Sequence, residues 1–85
     1  MSKAQVEHNI GLHCFVLECQ GQFAKLEYSL QNGGVTFTST YVPFRLRGKG
    51  LAEALVHEGL QWAKEQKLVV SSTCWYVDKF LPSAL

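Results

Sequence analysis

Three cations and two glycines lie close together where an amphipathic helix is predicted to begin. The segment YVPFRLRGKGLAEALV, residues 41–56, contains Arg45, Arg47, Lys49, Gly48 and Gly50. It offers no Ser, Thr, Asp or Asn as a capping residue. The first amides of a helix lack partners within the helix, and positive side chains at this end are repelled by the helix dipole. A bound polyanion would remove both defects, so the pattern predicts a phosphate site.

A second interpretation of the same residues needs no ligand. The cations could be a solvated turn, and the glycines could serve only the chain reversal after Pro43. Two nucleotide motifs are absent in any case. No Ser or Thr follows Lys49, as a P-loop requires, and the run from Gly48 to Ala52 continues with Glu53 where a dinucleotide motif needs Gly. The position between a strand end and a helix favours the phosphate site.

Hydrophobic periodicity predicts the elements that position this segment. Alternating apolar residues predict three strands, at 13–19, 23–30 and 35–42, and Asn32-Gly33-Gly34 is a hairpin signal. An apolar stripe at helical spacing runs from about 50 to 66, followed by a strand at 68–73 and a short helix or turn at 74–81. A strand, helix and strand in this order form a crossover, so the strands at 35–42 and 68–73 should be parallel. The prediction is an α+β domain with an antiparallel three-strand meander, a main helix, a parallel strand and a short C-terminal helix.

The composition describes an ordered chain without a strong overall charge. It has 85 residues, of which 47% are hydrophobic and 18% charged, with a net charge of +1. No general field attracts nucleic acid or anionic membranes. The sequence has neither the apolar run of a signal peptide nor the ~20 apolar residues that span a bilayer. We expect one domain over residues 1–85, a cytoplasmic location, a monomer or weak dimer, and no membrane or nucleic-acid partner.

The three cysteines are Cys14, Cys19 and Cys74. An odd count without metal-ligand spacing indicates reduced thiols rather than a disulfide framework. Cys14 and Cys19 are five residues apart on a predicted strand, so they point to opposite faces and cannot easily share a metal ion. We expect no metal site, and we interpret both as small core residues.

The string Arg45-Leu46-Arg47-Gly48-Lys49-Gly50-Leu51-Ala52 resembles the R/Q-x-x-G-x-G/A motif of the GNAT superfamily of N-acetyltransferases. The chain is most similar to the very small, single-domain GNAT-like proteins. In those, V-P-x-x-L-R-G-x-G-x-A is followed later by a Cys at the end of a strand. The resemblance covers essentially the whole chain, including His8-Asn9 and the strand that carries Gly21, Ala24, Leu26 and Tyr28.

The resemblance implies that the polyanion is acetyl-CoA and that an amine accepts the acetyl group. The diphosphate would rest on the amides of residues 46–50, and the pantetheine arm would pass along the strand end in a wedge between the parallel strands. The thioester would lie between residues 39–41 and Thr73–Cys74, with amides near 40–42 polarising its carbonyl. The coenzyme-binding residues implied are Val42, Arg45, Leu46, Arg47, Gly48, Lys49, Gly50, Leu51 and Ala52.

Cys74 is the residue that the resemblance implies for chemistry. It would serve as acyl acceptor or as proton donor to the departing thiolate, although its position also fits a structural core cysteine. Tyr76 is a second candidate proton donor, or else packs with Trp75 and Phe80. The small family often reads H-T-E-V-P where this chain has Ser39-Thr40-Tyr41-Val42-Pro43, so a candidate general base is missing.

The acceptor side is expected to be shallow and open. Only a short turn separates residues 19 and 22, where larger GNAT enzymes insert a helical segment, and this favours an amine on a larger molecule. Two other functions remain as alternatives. One is a non-catalytic CoA- or acyl-CoA-binding module. The other is a small nucleic-acid-binding domain, which is disfavoured because the basic residues occupy one loop.

Overall fold

The computed structural model describes residues 6–79, which form one five-stranded sheet with a long helix packed on one face. The strands are β1 (Val6–Asn9), β2 (Cys14–Cys19), β3 (Gln22–Gln31), β4 (Gly34–Tyr41) and β5 (Val69–Ser72). A 3-10 turn at Phe44–Leu46 precedes α1 (Leu51–Glu65), and α2 (Trp75–Asp78) follows β5. The α+β prediction is confirmed. The part of the predicted C-terminal helix at residues 80 and 81 lies outside the described residues.

The sheet has the strand order β1-β2-β3-β4-β5, antiparallel except for the parallel pair of β4 and β5. Strand β1 is an addition to the predicted meander and pairs with β2, with His8 opposite Phe15. Its sequence, VEHN, holds a single strongly apolar residue and therefore gives no alternating signal. The parallel pairing of β4 with β5 follows from the crossover through α1.

The core lies between α1 and the inner face of the sheet, the face on which α1 packs. Gly59 is the position of closest approach, because a Cβ there would lie 2.9 Å from Leu26 Cδ2 and 3.0 Å from Phe37 Cε1. The absence of a side chain allows the helix to lie directly against β3 and β4. The buried core residues are Phe15, Leu17, Ala24, Leu26, Tyr28, Val35, Phe37, Leu46, Leu51, Leu55, Val56, Ala63 and Val77.

A β-bulge in β4 changes which residues face α1. Tyr28 is opposite Phe37 and Glu27 is opposite Ser39, so Thr38 is an extra residue on β4. Before the bulge Phe37 faces the core, and beyond it Thr40 becomes half-buried while Thr38 and Ser39 are both exposed. Without the extra residue, simple alternation would turn Thr40 away from the helix.

The ladder between β4 and β5 ends next to this bulge. Its last residue pair is Phe37 with Ser72, and the Thr73 amide then donates to the Phe37 carbonyl at 3.0 Å. Beyond this point β4 continues to Tyr41 without a partner from β5. The backbone of β4 therefore borders an opening at the carboxyl ends of the two parallel strands.

Candidate active site

A groove of about 630 Å³ lies where the pairing of β4 and β5 ends. This volume is within the usual range for small-molecule sites. The groove brings together every predicted site residue except Arg45 and Lys49, which are exposed beside it. It also includes Thr40 and Glu53, which were not predicted as site residues. The lining residues are Thr40, Val42, Leu46, Arg47, Gly48, Gly50, Leu51, Ala52, Glu53, Cys74 and Tyr76.

One end of the groove is the start of α1, which has no capping side chain. Gly50 is the N-cap in the left-handed region, with φ 77° and ψ 12°, and Gly48 also has a positive φ of 82°. The first helical hydrogen bond at this end runs from the Ala54 amide to the Gly50 carbonyl at 3.1 Å. The three helical amides before Ala54 therefore have no partner within the helix.

The amides of residues 46–50 fall into two groups. Those of Leu46 and Arg47 are used in the 3-10 turn, donating to Pro43 and Phe44 at 2.9 and 3.3 Å. Within residues 6–79, no hydrogen bond is donated by the amides of Gly48, Lys49 or Gly50. The free donors thus run from residue 48 into the first turn of α1, a series of backbone N–H groups suited to an anion.

Arg47 is held at the rim of the groove. Its Nε donates to the Val42 carbonyl at 3.0 Å, and its guanidinium carbon lies 5.9 Å from the centre of the Phe44 ring. Because this hydrogen bond uses Nε alone, the terminal amino groups of the guanidinium remain as donors. Glu53, in the first turn of α1, is the carboxylate of the lining. Its position is usual for a helix start and gave no functional signal in the sequence.

The other end of the groove contains Cys74, the N-cap residue of α2. The hydroxyl of Ser72 joins the amide and the carbonyl of Cys74, at 3.0 and 2.9 Å, and so fixes the backbone there. Cys74 Sγ lies 3.6 Å from Thr40 Oγ1 on the opposite strand. The bulge produces this contact, which the sequence did not predict.

Burial raises the pKa of the Cys74 thiol, but opposing contacts outweigh it and the net pKa is lower than usual. These contacts are the amides of Val77, Tyr76 and Thr40 and the hydroxyl of Thr40, all of which stabilise the thiolate. The α2 amides form no capping hydrogen bond with the thiol, so they act through their dipoles. A lower pKa increases the fraction of nucleophilic thiolate near neutral pH.

Tyr76 shows the opposite behaviour. Burial, and then the nearby Glu53 carboxylate, raise the pKa of its phenol. Two titratable groups in one groove therefore have pKa values shifted apart, which is a pattern typical of an acid and a base or nucleophile. The predicted alternative, packing of Tyr76 against Phe80, lies outside the described residues. Lys79 Nζ lies 5.0 Å from the Tyr76 ring centre.

The remaining candidate groups do not form a second centre. Cys14 is buried and Cys19 half-buried, and both are free thiols. No group of three or more His, Cys, Asp or Glu side chains among residues 6–79 is arranged to hold a metal ion. The helices of the same range are all too short or too polar to cross a membrane.

The fold and the groove define a minimal α+β domain in which an uncapped helix start and a cysteine border the same opening between parallel strands. The sequence model of the GCN5-related N-acetyltransferase family matches residues 14–84, and the chain belongs to this family. The family predicted from the sequence is thereby confirmed.

Curated relatives are named Protein NATD1. The one from Gallus gallus is 30% identical over 80 residues, which is 91% of this chain and 73% of that protein. The one from Xenopus tropicalis is 28% identical over 83 residues, or 94% of this chain and 76% of that protein. The one from Bos taurus is 38% identical over 47 residues, or 55% of this chain and 42% of that protein.

Proposed function

We propose that this protein is an acetyl-CoA-dependent N-acetyltransferase that transfers an acetyl group to an amine acceptor. The observation that carries the proposal is that one groove joins the uncapped start of α1 to Cys74. An extended coenzyme with a diphosphate at one end and a thioester at the other needs these two features in a single channel. Membership of the GCN5-related family supports the same activity.

The helix start fits a diphosphate on three counts. The amides from Gly48 into the first turn of α1 are free, and Arg47 contributes charge at the rim. A Cβ built on Gly48 would meet no atom within 4 Å, so the space above these amides is open. Arg45 and Lys49 lie outside the lining, where they contribute a positive field rather than direct contacts. Glu53 opposes this field from inside the groove.

Cys74 and Tyr76 divide the chemistry of the transfer between them. When bound, acetyl-CoA supplies the acetyl group as a thioester. The Cys74 thiolate attacks its carbonyl carbon, the bond to the coenzyme sulfur breaks, and the Tyr76 phenol gives that sulfur a proton. The acceptor nitrogen then displaces the Cys74 thiolate, forming the amide and losing one proton. The lowered pKa of Cys74 favours this acyl-acceptor role over the role of proton donor.

Thr40 would assist both steps from the opposite strand. Its hydroxyl lies 3.6 Å from Cys74 Sγ, and its amide also faces that sulfur. A backbone N–H at this position is suited to the negative charge that develops on the carbonyl oxygen as the thiolate attacks.

The test is intact-protein mass spectrometry after incubation with acetyl-CoA. We expect a single acetyl adduct and release of CoA, both lost in Cys74→Ala and retained in the control variant Cys19→Ala. CoA release with an added amine but no adduct would show direct transfer to the acceptor. Binding of acetyl-CoA with neither adduct nor release would favour a non-catalytic CoA-binding module.

A further inference from the structure

A carboxylate and a hydroxyl are paired on the outer face of the sheet, the face opposite α1. Glu27 of β3 and Ser39 of β4 are direct cross-strand partners, and Ser39 Oγ donates to Glu27 Oε1 at 2.8 Å. Thr38 Oγ1 also donates to the Glu27 carbonyl at 3.2 Å. The bulge places both hydroxyls on this face, so Glu27 is held toward β4.

This pair lies on the other side of β4 from the groove. Ser39 directly precedes Thr40, whose hydroxyl contacts Cys74 on the inner side. Successive strand residues point to opposite faces, so Ser39 faces outward where Thr40 faces inward. The β4–β5 ladder has already ended at Phe37, and the opening between the strands therefore borders both residues.

The two sides of this opening differ in charge. On the inner side, Arg47 and the free amides at the start of α1 present positive charge. On the outer side, Glu27 is exposed, and no Lys or Arg among residues 6–79 forms an ion pair with it. An amine acceptor is a cation at neutral pH, so the inner side repels it and the Glu27 carboxylate attracts it.

We infer that Glu27, oriented by Ser39, binds the positively charged amine of the acceptor at the outer mouth of the opening. The substrate class is a cationic primary amine that reaches the outer face of the sheet, while the coenzyme enters from the inner face. This inference depends on the proposed acetyltransferase function. It assigns a binding role to a residue outside the predicted motif, on the strand before it.

The test is a ¹⁵N–¹H NMR titration of the full chain with n-butylammonium, compared with n-butanol as a neutral probe of similar shape. We expect n-butylammonium to shift the amides of Glu27, Ser39 and Thr40, and n-butanol to leave them unchanged. Glu27→Gln keeps the oxygen that accepts from Ser39 but removes the charge, and should weaken butylammonium binding several-fold. Glu18→Gln, on the outer face of β2, is the matched control and should bind as the wild type does.

A double-mutant cycle tests the role of Ser39 as a positioning residue. Ser39→Ala should weaken butylammonium binding in the wild type but not in the Glu27→Gln background, because it acts only through that carboxylate. Equal butylammonium binding by wild type and Glu27→Gln would overturn the inference, as would shifts confined to other residues. The readout requires no acetyl-CoA, so butylammonium binding without acetyl-CoA binding would contradict only the proposed function.

Discussion

Replacing Gly50 with Ala should destabilise the start of α1 without obstructing the groove. Gly50 holds φ 77° and ψ 12°, a left-handed conformation that costs an L-residue about 1–2 kcal/mol. The added Cβ would meet only Glu53 Oε1, at 3.8 Å, which is an ordinary van der Waals contact. The cost is therefore one of backbone strain, and for a domain of this size it lowers Tm by roughly 4–8 °C for each kcal/mol.

Differential scanning calorimetry of the ligand-free protein measures this cost. Gly11→Ala is the control, because Gly11 does not have a positive φ and a Cβ there would come no closer than 3.7 Å to Asn9 Oδ1. Acetyl-CoA should also stabilise Gly50→Ala less than the wild type, since relief of the strain turns the free amides away from the groove. An unchanged Tm in Gly50→Ala would refute the left-handed helix start on which the anion site depends.

Three further predictions concern titration and hydrogen bonding. Thr40→Val removes a hydroxyl that stabilises the Cys74 thiolate, so the pH profile of iodoacetamide alkylation at Cys74, followed by peptide mass, should move to higher pH; an unmoved profile would contradict the contact. Tyr28→Phe removes the hydroxyl 2.6 Å from His8 Nε2 and should lower the free energy of unfolding in urea by about 0.5–1.5 kcal/mol, whereas an equal or higher value would argue against this bond. Burial, and then the charge of His13, lower the pKa of His8 below its ordinary 6.5, so the folded state binds this proton less readily than the unfolded state. Stability from this source is complete above pH 6.5 and is lost as the pH falls through the lowered value; urea midpoints at several pH values should show the loss in the wild type and not in His8→Gln.

The larger elements of the fold were predictable because each carries a clear period. The apolar stripe predicted at 50–66 became α1 at Leu51–Glu65, and the strand predicted at 68–73 became β5 at Val69–Ser72. The parallel pairing of β4 and β5 followed from chain order alone. These features depend on hydrophobic burial, which the sequence displays directly.

The bulge in β4 was not predictable in the same way. The run Thr36-Phe37-Thr38-Ser39-Thr40 contains small polar residues whose positions on either face of a sheet look alike. Which residue is extra is decided by pairing with β3, a long-range interaction that local patterning does not contain. Thr40 was therefore missed as a lining residue, although the opening near it was expected.

The candidate site was predicted in outline for a different reason. The uncapped run of cations and glycines breaks the usual rules for a helix start, and such a violation is visible in sequence. The partition of the amides between the 3-10 turn and the groove depends on the exact backbone after Pro43 and was not visible. The same holds for Glu53, because its first-turn position is common in helices that bind nothing.

The most direct test of the account is the thermal stability of the protein with acetyl-CoA, with ATP and with neither. At a hundred times its Kd, acetyl-CoA should stabilise the folded state by about 2.7 kcal/mol. ATP at the same concentration should stabilise it far less, because it lacks the pantetheine arm that follows β4 toward Cys74. Arg47→Ala should reduce the acetyl-CoA effect. Equal stabilisation by both ligands, or none by acetyl-CoA, would contradict the assignment of the groove to this coenzyme.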